Sequence, residues 1–248
     1  VFAERRAAQL DRYQMASAFV TLRPHHVGVQ KALTIGAMDL ALANRDGPTG
    51  MLWASIALQH ARDWLAASRG NPYAYSAMGQ LLWHYPALAP DAAPPFLPSA
   101  EANLRRAIEN DWINAEHYLI LARYYEAEHH PDLALATLLS ALRWARVPQV
   151  SDAGVEAWKR LFHKAMELAD QIHQTAVAVA MARIVAQIDP ENAMAQHLLT
   201  AATPAFASAP RPDTLPRFPQ RAASPAPDID TAWTTILGRH EQAHPSFD

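Results

Sequence analysis

The sequence predicts an all-α fold of short antiparallel helices, and three observations support this prediction. Apolar residues recur at helical spacing in successive stretches of the chain. Turn-forming Pro, Gly, Asn and Asp residues separate these stretches, as at 45–50 and 129–132. Small alanines accompany larger tyrosines and leucines on the apolar stripes, so that two helix backbones can approach closely while the larger side chains fill the remaining space.

The composition limits the possible function classes. With 248 residues, of which 50% are hydrophobic, the chain can bury a sizeable core. Its net charge of −3 and scattered basic residues argue against a nucleic-acid-binding role. The absence of cysteine excludes disulfides, thiolate catalysis and Cys-based zinc sites. No apolar run approaches the roughly 20 residues of a membrane span, so any membrane tether is expected outside this chain.

Helices are predicted over 2–22, 25–44 and 51–68 in the first part of the chain, with a turn at 45–50. A further helix is expected over 72–85. The next segment, 86–98, is too rich in proline to be helical. Ser99 is a suitable N-cap for a helix over 100–110, so the Pro-rich segment is predicted to be a loop inserted between two paired helices.

The clearest helix pair lies in 114–142. Its first helix carries Tyr118-x2-Leu121-Ala122-x2-Tyr125, and its second carries Ala134-x3-Leu138-x2-Ala141-Leu142. This segment resembles the tetratricopeptide repeat (TPR), whose pattern is W-x2-L-G-x2-Y, then A-x3-F, then a closing Pro. Tyr118 stands for Trp, Ala122 for Gly and Leu138 for Phe, while the closing proline is delayed to Pro148.

The same pattern recurs earlier in the chain, as Tyr75-x2-Met78-Gly79-x2-Leu82 followed by Ala100-x3-Leu104-x2-Ala107. More divergent pairs are expected over 25–68 and over 152–188, where the second pair ends in Asp189-Pro190. A helix over 191–202 would cover the exposed face of the last pair. The resemblance therefore implies a TPR-like antiparallel helix-pair solenoid over 1–202.

A different composition follows this region. The segment 203–227 is rich in Pro, Ala and Arg and is predicted to be an extended linker. The last residues, 228–248, are predicted to form a short amphipathic docking helix. Its docking face consists of Trp233, Ile236 and Leu237.

The resemblance implies a non-catalytic protein–protein interaction scaffold, an adaptor or accessory subunit of a multiprotein assembly, with no cofactor. Its partner would be a protein that places a peptide or helix in the TPR groove. The excess of Arg over Lys and the high Ala content are typical of a GC-rich bacterium, and an envelope-associated assembly is favoured over a cytoplasmic one. The groove positions of the family fall on Gln80, Trp83, His84, Glu116, Leu119, Arg123, Glu126, His163 and Glu167.

Two other hypotheses remain open. Because the chain begins at Val1 rather than Met, it could be the regulatory domain of a larger membrane-bound enzyme, such as a glycan-processing one. The sequence His240-Glu241-x-x-His244 matches the H-E-x-x-H motif of zinc hydrolases, in which two imidazoles one helical turn apart hold the metal. Pro245 follows at once and leaves no place for a third downstream ligand, so the default interpretation is a chance match or a fortuitous metal-binding tail, and no metal site is expected.

Overall fold

The computed structural model describes residues 2–20, 22, 26–45, 47–91, 99–144 and 152–206. Within these ranges the chain forms ten α-helices, one 3₁₀ helix at Pro86–Asp91 and no strand. The α-helices are α1 (Phe2–Val20), α2 (Val27–Ala43), α3 (Pro48–Ala67), α4 (Pro72–His84), α5 (Ala100–Asn110), α6 (Ala115–Ala127), α7 (Pro131–Trp144), α8 (Asp152–Gln171), α9 (Thr175–Ile188) and α10 (Ala193–Phe206). The all-α prediction is confirmed.

Local chemistry explains where the helices of the central region begin. The side chains of Asn71, Ser99 and Asn114 accept hydrogen bonds of 3.0 to 3.2 Å from backbone N–H groups in the first turns of α4, α5 and α6. Proline occupies the first position of α3 and of α4, where the missing N–H has no intrahelical partner to lose. The predicted N-cap at Ser99 is confirmed.

Three boundaries differ from the prediction. The turn expected at 45–50 is shorter, because Gly47 is an extended N-cap and Pro48 already starts α3. The Pro-rich insertion begins as a 3₁₀ helix rather than as an irregular loop, and short 3₁₀ segments are common connectors. Helix α10 continues four residues beyond 202 and ends at Phe206.

The chain divides into two compact units. The first comprises Val1–His129 with Ala141–Arg146, and the second comprises His130–Ser140 with Val147–Asp248. In the first unit α2 pairs with α3 and α4 with α5, and α1 packs against α2. Helices α2, α4 and α6 also contact one another in that order. They therefore form one layer, which we call the α2–α4–α6 layer, while α3 and α5 lie in the other.

The α4–α5 pair is held by a close approach at Gly79. A Cβ atom at this position would lie 2.6 Å from Cγ of Leu104 and 3.0 Å from the carbonyl oxygen of Ala100. Only glycine allows the two helices to come this near. The other repeat-signature residues of the first unit are at most 9% exposed: Tyr75, Met78, Leu82, Ala100, Leu104, Ala107, Tyr118, Leu121, Ala122 and Tyr125.

In the second unit α8 packs against α9, and α9 against α10. The buried residues of these helices are mostly small, which suits close helix contacts: Leu161, Ala165, Met166, Ala169, Ala178, Ala182, Val185, Ala195 and Leu198. Trp158 and Phe162 add larger volume on α8, with ring centroids 5.7 Å apart. The predicted pair over 152–188 and the covering helix after it are confirmed.

Candidate functional site

The α2–α4–α6 layer carries a row of residues on α4 that are not buried. Tyr73, Gln80 and His84 recur at i, i+7 and i+11, which places them on one helical face. None of the three is buried, whereas the intervening positions 74–79 and 81–82 are. The neighbouring helices α2 and α6 add side chains at the two ends of this row. We call the whole surface the α4 strip.

At the N-terminal end of the strip, Tyr73 joins all three helices of the layer. The Lys31 ammonium of α2 lies 5.2 Å from the centre of its ring, within cation–π range. The amide of Asn114, the N-cap of α6, donates a hydrogen bond of 3.0 Å to its hydroxyl. The ring of His117 lies 5.1 Å away, centroid to centroid. Tyr73 is nevertheless 45% exposed, so its aromatic ring lies at the surface at this end of the strip.

His117 is the buried residue against which the Tyr73 ring packs. It is 2% exposed, and neither ring nitrogen has a hydrogen-bond partner. The nearest carboxylate oxygen, on Asp111, is 3.7 Å from Nε2 and so beyond hydrogen-bond distance. Burial lowers the pKa of His117, and the charges of Asp111 and Glu116 oppose this shift only in part. The imidazole is therefore neutral at pH 7 and acts as packing.

At the C-terminal end, three rings meet without a hydrogen bond between them. Trp83 and Tyr124 are arranged edge to face, with centroids 5.9 Å apart and an interplanar angle of 81°. His84 stacks on Trp83 at 4.5 Å and 20°. All three side chains are half-buried. Burial, followed by the nearby charge of Arg45, lowers the pKa of His84, so a neutral imidazole lies on the indole.

Tyr125, next to Tyr124, fixes α6 against α5. Its hydroxyl donates a hydrogen bond of 2.6 Å to the Glu101 carboxylate and accepts one of 2.8 Å from the Arg105 guanidinium. Arg105 also forms an ion pair with Glu101 on the same face of α5. Burial raises the pKa of Tyr125. This network holds the helix that presents Tyr124, so the geometry of the strip depends on it.

Most of the predicted groove residues in the first unit lie at its surface. Gln80, Trp83, His84, Glu116 and Glu126 are half-buried and Arg123 is exposed. Leu119 is different, because its side chain is 3% exposed and belongs to the core. Its position is apolar and turned inward, which removes it from any surface that a partner could touch. His163 and Glu167 lie on α8 in the second unit, where His163 is half-buried and Glu167 is exposed beside Lys164 at 3.4 Å.

Two residues of the strip were not predicted from the sequence. Tyr73 stands seven residues before Gln80, and this spacing was the available signal for it. Tyr124 lies on α6 beside a signature tyrosine, and nothing in the sequence indicated its contact with Trp83. That contact depends on how far α6 slides along α4, which the pattern of one helix does not determine.

The docking residues Trp233, Ile236 and Leu237 and the motif His240–His244 lie outside the described residues. In the part of the chain that is described, no group of three or more His, Asp or Glu side chains is placed to hold a metal ion. No helix in that same part is both long and apolar enough to cross a bilayer.

Comparisons with known proteins concern the fold. No protein-family model matches the sequence, and no curated protein is significantly similar to it. Among solved structures, a thermophilic TPR protein of Thermus thermophilus is 17% identical, with 80% of this chain and 92% of that chain covered and a TM-score of 0.47. The pilF protein of Pseudomonas aeruginosa is 15% identical, with 99% and 95% covered and a TM-score of 0.47.

The assignment of the fold rests on the helix pairs of this chain. The signature positions around Tyr75 and Tyr118 are buried, and Gly79 admits the close contact with the second helix of its pair. Alternate helices form one layer, as the repeat requires. The chain has a TPR-like all-α fold of antiparallel helix pairs.

Proposed function

We propose that the chain is a non-catalytic protein–protein interaction scaffold that binds a partner on the α4 strip. The observation that carries this proposal is the half-buried aromatic cluster of Trp83, His84 and Tyr124 on the surface of the α2–α4–α6 layer. Aromatic residues are enriched where proteins meet other proteins.

The surroundings of this cluster fit the anatomy of an interface. In an interface, large rings supply contact area, and polar side chains around them exclude water. Gln80, Arg123 and Glu126 are polar side chains near the rings, and each is at least partly exposed on α4 or α6. The close contact between α4 and α5 at Gly79 holds the helix that carries this surface, and a surface already in place before a partner arrives lowers the entropic cost of binding.

In a cell, such a scaffold would be an adaptor or accessory subunit of a multiprotein assembly. We extend the proposal to an assembly of the bacterial envelope. The predicted groove residues on α8, His163 and Glu167, would then form a second contact region in the second unit.

Site-specific photo-crosslinking tests the proposal. A photoreactive amino acid at Gln80 of the full chain, expressed in its native host, is expected to yield a discrete cross-linked protein band. The matched control is the same residue at Arg106, which is exposed on α5 in the other layer and pairs with Glu109 on its own helix at 2.9 Å. Equal cross-linking at both positions, or none at Gln80, would contradict a binding role for the strip.

A further inference from the structure

We propose that two copies of this chain pair through the outer face of α1, with the two α1 helices antiparallel. This inference does not depend on the α4 strip, because it concerns a different helix of the first unit. Three properties of α1 support it: an exposed apolar stripe, the area of that stripe, and the order of large and small side chains along it.

The inner face of α1 is fixed by Tyr13. Its hydroxyl lies 3.1 Å from Nε2 of His60, and its ring packs edge to face on Trp53, with centroids 5.0 Å apart. On α2, a Cβ atom added at Gly36 would lie 3.5 Å from Cβ of Tyr13. Because successive residues of an α-helix are about 100° apart, positions 15, 18, 19 and 22 lie on the side of α1 opposite Tyr13.

That outer face is apolar and exposed. Met15 and Phe19 are 61% exposed, Leu22 is 77% exposed, and Ala18 is exposed as well. The backbone N–H of Leu22 donates a hydrogen bond of 3.1 Å to the Phe19 carbonyl, which continues the turn past the end of α1. We call Met15, Ala18, Phe19 and Leu22 the α1 stripe. A helix of a repeat array that faces water needs a polar outer face, so the stripe requires a cover.

The α1 stripe has the area that a dimer interface needs. A large side chain presents about 200 Å² when it is fully exposed, so the exposed fractions of Met15, Phe19 and Leu22 correspond to about 400 Å² of apolar surface. A standard interface buries about 800 Å² per partner, and a little over half of this area is apolar. The stripe therefore supplies most of the apolar surface that one partner contributes.

The order of the side chains makes the α1 stripe complementary to itself. A two-fold axis midway between Ala18 and Phe19 places Ala18 of one copy opposite Phe19 of the other copy. The same axis places Met15 opposite Leu22 of the other copy. A small residue thus faces each ring, as in the close contact between α4 and α5, and two aliphatic side chains fill each end. The resulting interface is isologous, because both copies use the same surface.

Charge favours the antiparallel arrangement over a parallel one. No Asp, Glu, Lys or Arg occurs at 13–22, so the parts of two antiparallel helices that overlap bring no like charges together. Asp11 lies seven residues before Ala18 and therefore on the same face of α1. In a parallel pair, the Asp11 carboxylates of the two copies would lie side by side and repel each other.

Single cysteines test the arrangement, because the chain contains no other cysteine. Ala18→Cys, next to the axis, is expected to give a disulfide-linked dimer under mild oxidation, since two such Cα atoms can approach within the roughly 7 Å that a disulfide requires. The matched control is Ala8→Cys, at an exposed alanine on the same face of α1. Its two copies would be about 30 Å apart at 1.5 Å per residue.

Non-reducing gel electrophoresis of the full chain measures the rate of this linkage. We expect Ala18→Cys to link at least tenfold faster than Ala8→Cys. A parallel pair would link at both positions, and a different partner on the stripe would allow linkage at neither. Equal rates at the two positions, or no linkage at position 18, would therefore overturn the proposal.

Sedimentation equilibrium of the full chain measures pairing without a cross-link. We expect the mass to approach twice 27.4 kDa at micromolar concentrations. Phe19→Glu places a carboxylate beside the axis and should weaken the dimer at least tenfold, whereas Ile113→Glu, at a site 47% exposed between α5 and α6, should change its affinity less than twofold. A monomeric original chain, or equal affinities in the two variants, would overturn the proposal. If circular dichroism shows that Phe19→Glu is unfolded, Leu22→Glu replaces it with the same expectation.

Backbone hydrogen exchange provides a third measurement. Pairing covers α1 on the side opposite Tyr13, so exchange in α1 is expected to slow as the protein concentration rises. Exchange in α4 should not depend on concentration, which makes α4 the internal control. Exchange in α1 that is equally independent of concentration would overturn the pairing.

Discussion

Helix α4 contacts both α5 and α6, and these two contacts differ in kind. Against α5 it is dry and close, since Gly79 lets the Leu104 side chain reach the α4 backbone. Against α6 it is joined by rings and by polar groups near the surface, such as Tyr73 with His117 and Trp83 with Tyr124. The α4–α5 interface contributes stability, whereas the α4–α6 interface places aromatic and polar side chains at the surface, where a partner could bind them. Mutations in the two interfaces should therefore have different consequences.

The largest loss of stability is expected from Leu104→Ala at the α4–α5 interface. Leu104 is 1% exposed, and removing a buried leucine side chain costs about 3 kcal/mol. Urea denaturation followed by circular dichroism measures this change. Leu52→Ala is the control, because Leu52 is 60% exposed, and it should change the free energy of unfolding by less than about 0.5 kcal/mol. A loss at position 104 as small as this would show that the two helices are not tightly packed.

Gly79→Ala is expected to cost about 2 kcal/mol, because the added methyl group overlaps Leu104 and meets the Ala100 carbonyl. In the double variant with Leu104→Ala, the cavity accommodates this methyl group, so the combined loss should be smaller than the sum of the two. Gly36→Ala is the matched control within a helix. Its Cβ would make ordinary contacts of 3.5 Å with Tyr13, and it should stabilise the chain by about 0.5 kcal/mol. Simple additivity at 79 and 104 would argue against the contact.

Tyr125→Phe tests the polar network between α5 and α6. The hydroxyl bonds to Glu101 and Arg105 would be lost, while the ion pair between those two residues would remain. We expect a loss of about 1.5 kcal/mol, together with weaker binding on the strip, because α6 carries Tyr124. The double variant Tyr125→Phe with Glu101→Gln separates the hydroxyl from the carboxylate. A network with no energetic coupling would give additive changes.

The smallest effect concerns pH. Burial lowers the pKa of His117 in the folded chain below its usual value of 6.5, so the unfolded chain takes up this proton first as the pH falls. The stability supplied by the neutral ring is complete above pH 6.5 and decreases below it. We expect the urea midpoint to fall less between pH 7.5 and pH 5.5 in His117→Leu than in the original chain.

Sequence reasoning predicted the parts of this fold that depend on single helices. Signature spacing around Tyr75 and Tyr118 identified the buried faces, and Ser99 identified a helix start, because both follow from local geometry. The burial of Leu119 and the pairing of Trp83 with Tyr124 could not be predicted in the same way. Both depend on the position and rotation of α6 relative to its neighbours. The helical pattern of a single segment does not determine that position or rotation.

The order in which the helices pack also determines how the first unit forms and opens. Each of α2, α4 and α5 packs against helices no more than two steps further along the chain, so few long loops must close during folding. Chains with such local contacts fold in microseconds to milliseconds, and their stability is a sum over neighbouring elements. Helix α1, which packs against α2 at one edge, can therefore fray while α4 and α6 keep their partners. Backbone hydrogen exchange should then be fastest in α1 and slowest near Gly79. The surface on α4 and α6 would therefore stay folded when α1 opens.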